Sequence, residues 1–341
     1  MISKVELKEI RNYLELSQSP LFLFDDDNDG LCSFLLLRKF IQRGNGLQIK
    51  TNPEITESSL NLVTNHNPDY IFILDKPLVS QEFIDEAKIP IIWIDHHPPV
   101  KRRKVKYFNP MLKSNKETST TYWCYKTVDG SLWIAVIGAL SDYTIPDYFK
   151  EFRKKYPDLV SNKKTPQDLL YNSQLGKLCK IFSLINKAKH DVFKRCAHML
   201  LKIDNPYEIL NATTDAGKFI TNIAAKINKK YDDLLAVALK SKKEKNLLIF
   251  SYLGQKTSFT SDLSNELIYR NPRSFVIVAR EKEEKIIMSL RSDIFNVRKI
   301  LEKALSKIPG YGGGHKHACG ASISKDDFNN FLNIIKKEIN K

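Results

Sequence analysis

The chain has 341 residues, a 42% apolar share and a net charge of +15, with a pI near 9.4. That length and apolar content suit two domains with sizeable cores, and the basic excess points to a polyanionic partner. No apolar run approaches the ~20 residues of a membrane-spanning helix, and the five cysteines, Cys32, Cys124, Cys179, Cys196 and Cys319, show no CxxC spacing. They read as reduced thiols rather than a disulfide framework or a zinc site. Met1 to Glu6 lacks the apolar stretch of a signal peptide, so a cytoplasmic location is expected.

Ser3 to Leu16 reads as an amphipathic helix with Val5, Ile10 and Leu14 apolar. The short apolar run Leu21 to Phe24 reads as a buried strand and leads into Asp25-Asp26-Asp27-Asn28-Asp29-Gly30. A helix continues from Ser33 to Ile41, its N-terminus beside those acids, a favourable place for a phosphate. Tyr70 to Leu74 is closed by Asp75, Ile89 to Ile94 by Asp95-His96-His97-Pro98, and Trp133 to Leu140 by Ser141-Asp142. Four apolar segments therefore deliver carboxylates at their C-terminal ends. In a parallel sheet those ends share one edge, so the acids converge in one crevice.

Lys101-Arg102-Arg103-Lys104 follows the histidine pair and is expected near the mouth of that crevice, guiding a phosphate backbone. Thr118-Ser119-Thr120-Thr121 reads as the N-cap of a helix. Tyr148 to Leu210 is helical and basic, and its His190 and His198 read as surface or core histidines rather than ligands. The breaker pair Asn205-Pro206 ends the first domain, giving domains at 1–205 and 206–341. A long helix, Ala216 to Leu239, is followed by solvated lysines between Lys240 and Lys245. Next come a strand at Leu247–Leu253, a helix at Leu263–Arg270, and strands at Phe275–Arg280 and Ile286–Leu290. A helix at Val297–Ser306, a glycine loop, a strand at Ala321–Ile323 and a helix at Lys325–Ile339 complete a small α/β domain. Gly310-Tyr311-Gly312-Gly313-Gly314-His315 is expected to offer backbone N–H groups to an anion.

Oxygen ligands with imidazole suit Mn²⁺ or Mg²⁺, and carboxylates bridging two ions make a centre for phosphoryl chemistry. Calcium is the competing reading of the Asp-rich segment. Asp25-x-Asp27-x-Asp29-Gly30 matches the first half of an EF-hand loop, but Leu36 stands where the closing Glu belongs, and a strand replaces the leading helix. Calcium is therefore rejected.

The set resembles the motifs of the DHH phosphoesterases: Asp27-x-Asp29-Gly30-Leu31, Asp75, Asp95-His96-His97 and Asp142. Gly312-Gly313-Gly314-His315-Lys316-His317-Ala318-Cys319-Gly320 is similar to the signature of the DHH-associated domain, and Ser289-Leu290-Arg291-Ser292 to the arginine-bearing strand before it. The likeness is to the RecJ and NrnA branch. It implies a parallel-sheet N-terminal domain, a helical bridging region and a smaller α/β C-terminal domain. It also implies that Asp27 and Asp75 hold one metal, and that Asp29, Asp75, His96 and Asp142 hold the other. His97 is then expected to face the substrate phosphate beside Asp95, while Arg291, Gly312, Gly313, Gly314 and His315 grip a phosphate from the second domain. Many members carry a His where Leu23 stands, so either Asp25 or Asp26 substitutes here or the first site is weak.

The resulting expectation is a two-metal phosphodiesterase, a nuclease for single-stranded DNA or RNA ends or for short oligonucleotides, with no membrane partner. A replication or repair protein is a candidate partner. Two rivals stand beside it: a small-molecule phosphoesterase for 3′-phosphoadenosine 5′-phosphate or cyclic dinucleotides, and a catalytically silent replication or repair scaffold.

Overall fold

The structure, a computed structural model, describes residues 1–50, 54–114, 118–160, 162, 165–254 and 257–340. It divides into two units, Met1–Ile227 and Asn228–Lys341. The division falls inside a long helix and not at Asn205-Pro206. That pair instead starts a short helix: Asn205 caps it through the Tyr207 N–H, and Pro206 takes the first-turn position that needs no donor.

In chain order the first unit opens with α1 (Lys4–Leu16), β1 (Leu21–Asp25), α2 (Asn28–Ile41), β2 (Asn45–Ile49) and β3 (Glu54–Ile55). Then come α3 (Leu60–Thr64), β4 (Ile71–Leu74), β5 (Leu78–Val79), α4 (Gln81–Ala87), β6 (Ile91–Ile94) and β7 (Lys106–Phe108). Helices follow: α5 (Thr120–Val128), α6 (Leu132–Ser141), α7 (Phe149–Lys155), α8 (Pro166–Asn172) and α9 (Gln174–Asn186). After these stand α10 (His190–Leu201), α11 (Pro206–Leu210) and α12 (Asp215–Ala238), within which the division lies.

The main sheet has order β2-β1-β4-β6-β7, every pairing parallel. Leu21, Leu23, Ile71, Ile73, Ile91 and Trp93 bury one face, with Val63, Phe83 and Ile84 of α3 and α4 packed against it. The other face carries Phe22 and Phe24, whose rings lie 5.6 and 4.7 Å from Phe34 of α2. Burial on both faces is why these strands read as unbroken apolar runs.

One expectation is corrected. Trp133 to Leu140 is a helix, α6, and not a fourth acid-bearing strand. An apolar run without alternation does not distinguish the two. Here Ala135, Gly138 and Ala139 let the segment nest among α2, α5 and α9; a Cβ on Gly138 would come 2.2 Å from Thr121 Oγ1. Asp142 thus reaches the sheet edge from a helix C-terminus.

The second unit holds β8 (Lys243–Glu244), β9 (Leu247–Leu253), α13 (Thr260–Arg270), β10 (Phe275–Lys282), β11 (Lys285–Ser292), α14 (Val297–Leu305), β12 (Gly310–Gly314), β13 (Ala318–Ser324) and α15 (Phe328–Ile339). Its sheet order is β12-β13-β11-β10-β9-β8, with Phe275, Ile277, Leu290, Leu301, Phe331 and Ile335 in the core. The glycine segment is a further correction: it is an edge strand antiparallel to β13, not a loop. No helix among the described residues is long and apolar enough to cross a membrane.

Gly30 is required by close approach. A Cβ there would lie 2.7 Å from both the backbone N and O of Asp25, so the turn from β1 into α2 closes only without a side chain. Gly30→Ala should therefore destabilise the unit by about 1–3 kcal/mol, read as a lower midpoint in urea unfolding. An unchanged midpoint would show that the turn relaxes freely.

Candidate metal centre

Asp27 and Asp29 are set by the start of α2. Asp27 is the N-cap, its Oδ1 accepting the Gly30 N–H at 2.9 Å. Asp29, 1% exposed, accepts the backbone N–H groups of Thr120 and Thr121, both at 2.7 Å. A carboxylate at the first turn of α5 gains from those otherwise orphaned donors and from the positive helix end. Thr121 Oγ1 donates back to the Asp29 carbonyl at 2.9 Å, and Thr120 Oγ1 to Asp75 Oδ1 at 2.9 Å. The Ser/Thr segment caps α5, as expected, with Ser119 accepting from the Tyr122 N–H. It also holds two acids, which its composition alone does not announce.

Asp75 follows β4 in a left-handed backbone conformation, φ 62°, fixed by its N–H donating to the Ile94 carbonyl at 3.0 Å. Strained geometry of this kind concentrates at functional sites. Asp142 caps α6; its neighbour Ser141 accepts a 2.8 Å hydrogen bond from Asn28 Nδ2, which ties the end of α6 to α2. His96, just past β6, closes the group. Its Nε2 lies 3.3 Å from Asp75 Oδ1, 3.3 Å from Asp142 Oδ2 and 3.8 Å from Asp29 Oδ2.

Four acids so close repel one another. Desolvation, then the charges of Asp29, Asp27 and Asp142, push Asp75 well above the usual carboxylate range; desolvation, Asp29 and Asp27 do the same to Asp142. Asp27, though its residue keeps an exposed face, is raised to about 7 by desolvation and by Asp25 and Asp29. Such a cluster gains most from a cation. Asp142 Oδ2 fits one directly: it is buried and has no hydrogen-bond partner among the described residues. Ligand atoms of Asp29, His96 and Asp142 lie within 4.8 Å of one another, as do those of Asp75, His96 and His97. Mixed oxygen and imidazole donors suit Mn²⁺ or Mg²⁺.

Asp95 has a different role. It is fully buried, and its Oδ2 accepts from Tyr107 Oη at 3.1 Å, Asn109 Nδ2 at 3.2 Å and the His97 N–H at 3.2 Å. Its Oδ1 pairs with His97 Nδ1 at 2.8 Å, orienting the ring. Burial opposes a charge on His97. The Asp95 hydrogen bond and charge outweigh it, with Asp27 and Asp25 adding, and raise the imidazole above its ordinary pKa. Tyr107 and Asn109, on and after β7, carry no signal in the sequence; a Tyr-x-Asn pair ending a short strand is too common to single out.

In the second unit, Arg291 is held by its own domain. Nε donates to Asn265 Oδ1 at 2.6 Å, Nη2 to Ser261 Oγ at 3.0 Å, and Nη1 to the carbonyls of Leu290 and Cys319. Gly314, φ 140°, pairs with Cys319, whose carbonyl accepts from Arg291 Nη1; Arg291 itself pairs with Ala318. A Cβ on Gly313 would meet nothing within 4 Å, and Gly312, Gly313 and His315 are exposed. An edge strand leaves a row of backbone groups unpaired in its sheet.

The DHHA1 domain family matches residues 246–341. RecJ from Thermus thermophilus, crystallised with Mn²⁺, superposes with TM-score 0.66 at 12% identity over 97% of this chain and 54% of that one. The chain thus spans about half the length of that RecJ. An exonuclease RecJ bound to manganese gives 0.64 at 12% identity, covering 99% and 94%. CDC45 from Entamoeba histolytica gives 0.56 at 11%, covering 98% and 98%. The pGpG-specific phosphodiesterase PggH from Vibrio gives 0.52 at 14%, covering 95% and 99%. The chain is a DHH-fold protein with a C-terminal DHHA1 domain. No curated protein matches its sequence.

Within this DHH fold, Leu23 is fully buried in the sheet core, so nothing of metal-binding chemistry stands there. Asp26 is exposed. Asp25 is engaged by Lys76, whose Nζ lies 2.6 Å from Asp25 Oδ1. In the basic run, Arg102 pairs with Glu54 at 3.4 Å and Lys104 with Asp85 at 2.9 Å, while Lys101 and Arg103 are exposed. His190 and His198 lie exposed on α10.

The Asp95–His97 pair can be checked by NMR titration of the metal-free protein. His97 should titrate above the ordinary value of about 6.5. Asp95→Asn removes the largest of the charges that raise it and leaves burial, so the pKa should fall. A titration insensitive to the substitution would contradict the pairing.

Proposed function

We propose that the chain is a divalent-metal-dependent phosphodiesterase acting on ends of single-stranded nucleic acid or on short oligonucleotides. The observation that carries this reading is the convergence of Asp29, Asp75, Asp142 and His96, with one carboxylate oxygen left without a hydrogen-bond partner among the described residues. Asp29, Asp75, His96 and Asp142 would hold one Mn²⁺ or Mg²⁺; Asp27 with Asp75 would hold a second. When bound, such ions polarise a phosphoryl oxygen and orient and acidify the attacking water. His97, turned by Asp95, offers its other ring nitrogen as a donor to a non-bridging phosphoryl oxygen, where charge grows during attack. Thr120 and Thr121 keep Asp29 and Asp75 in place while substrate comes and goes. In the DHHA1 domain, Arg291, the Gly312–Gly314 edge and His315 are the groups proposed to hold a substrate phosphate. The guanidinium is already oriented by Asn265 and Ser261. A net charge of +15 favours a polyanion over a mononucleotide, and a cytoplasmic setting accords with reduced cysteines.

A second reading draws on the likeness to PggH: a phosphodiesterase for dinucleotides or other small nucleotides. Turnover of a ten-nucleotide strand set against cyclic dinucleotides and 3′-phosphoadenosine 5′-phosphate separates the two. The likeness to CDC45 favours a scaffold only if the acids prove inert, and every acid of the centre is present.

Digestion of end-labelled strands in Mn²⁺ and in Mg²⁺ tests the proposal. Asp75→Asn should abolish activity with either ion while leaving the circular dichroism unchanged. Residual activity above about a tenth, roughly 1.4 kcal/mol in barrier, would remove Asp75 from the centre. Affinity for a long strand should fall more steeply with salt than affinity for a dinucleotide, as counterion release requires. Equal slopes would mean that the lysines form only a solvated surface.

A further inference from the structure

Lys76 is a buried cation that the proposed chemistry does not use. It directly follows Asp75 and is 2% exposed. Its Nζ lies 2.6 Å from Asp25 Oδ1, and its carbonyl accepts the indole N–H of Trp93 at 2.9 Å. Trp93 stacks on Tyr107 at 4.1 Å between ring centroids, and Tyr107 Oη donates to Asp95. The lysine is therefore locked into the frame that also positions His97. An ammonium taken out of water needs a carboxylate beside it, and removing that carboxylate is strongly destabilising. Asp25 is committed to this task.

The consequence falls on the metals. Asp25 ends β1, two residues before Asp27; with the adjacent Asp26 exposed, Asp25 is the part-buried acid that could complete a set on the Asp27 side. Neither Asp25 nor Asp27 belongs to a ligand triad among the described residues; both triads centre on His96. Asp27 already accepts the Gly30 N–H. With Asp26 exposed and His97 engaged by Asp95, that side has, among the described residues, Asp27 and a shared Asp75, whereas the His96 side has three carboxylates and an imidazole.

We propose that Lys76 acts as a resident cation that withholds Asp25 from ligation, leaving this centre one tightly held divalent ion on Asp29, Asp75, His96 and Asp142 and a second, weak one beside Asp27. The inference rests on the metal-dependent reading above and adds an order of occupancy to it. It also assigns Lys76 and Asp25 a role as a pair: they set how many ions the centre holds at a given metal concentration.

Mn²⁺ titration of the full metal-free chain by calorimetry, with electron paramagnetic resonance of the bound ion, tests this without any activity measurement. The native protein should bind one ion at least about tenfold more tightly than a second. Lys76→Met keeps the bulk of the stem and releases Asp25, and should tighten the second ion by about tenfold or more. The double variant Lys76→Met with Asp25→Asn should return to the native pattern. Asp25→Asn alone keeps an amide oxygen for the Lys76 ammonium, at a cost in stability read as a lower urea midpoint, and should leave both the tight and the weak ion within about threefold; it decides the matter if Lys76→Met fails to fold. Two equally tight ions in the native protein would overturn the inference while upholding the metal-dependent reading. So would a folded Lys76→Met with unchanged second affinity, or loss of the tight ion in Asp25→Asn. No binding at all would overturn both.

Discussion

Asp29 held by the first two N–H groups of α5 is the contact on which the rest of the first unit depends. A buried carboxylate is costly unless donors surround it. Here the donors are the free end of one helix, while the acid itself sits in the first turn of another. The bond therefore joins α2 to α5, and α5 in turn packs against α6 at the Thr121–Gly138 contact. That sequence of contacts delivers Asp142 to a sheet edge that α6 does not belong to. The same helix end reaches Asp75 through the Thr120 hydroxyl.

Around that anchor the acids divide by partner. Asp95 is saturated by hydrogen bonds and serves His97; Asp25 is neutralised by Lys76; Asp29 is satisfied by backbone. Asp75, Asp142 and Asp27 retain raised pKa values and face His96 or one another. Stability alone would not select such a concentration of like charge. On the proposed reading, divalent cations offset that charge, with the fold holding each ligand in place beforehand.

Much of this is legible in the sequence, for reasons that differ by residue. Strands β1, β4 and β6 show because both faces are buried and the apolar runs end abruptly in Asp25, Asp75 and Asp95. The convergence of their ends follows from parallel topology. Trp133 to Leu140 misleads because a fully buried helix has no polar stripe to betray its period. β2 is hidden because Gly44-Asn45-Gly46 interrupts the apolar pattern at a sheet edge. The glycines of β12 resemble a loop because strand pairing there rests on backbone, with no alternating side chains to see. Lys76 gives no sign of its role because a lysine after a strand ordinarily lies in water; only the packing of Trp93 and Asp25 around it shows otherwise.

The central claim, that the four residues around His96 Nε2 form a divalent-metal site, is tested most directly by anomalous diffraction at the manganese edge from crystals soaked in Mn²⁺. The strongest peak should lie within direct ligation distance, about 2–2.5 Å, of oxygens from Asp29, Asp75 and Asp142 and of His96 Nε2. A map with no peak among these four residues at saturating Mn²⁺ would contradict it.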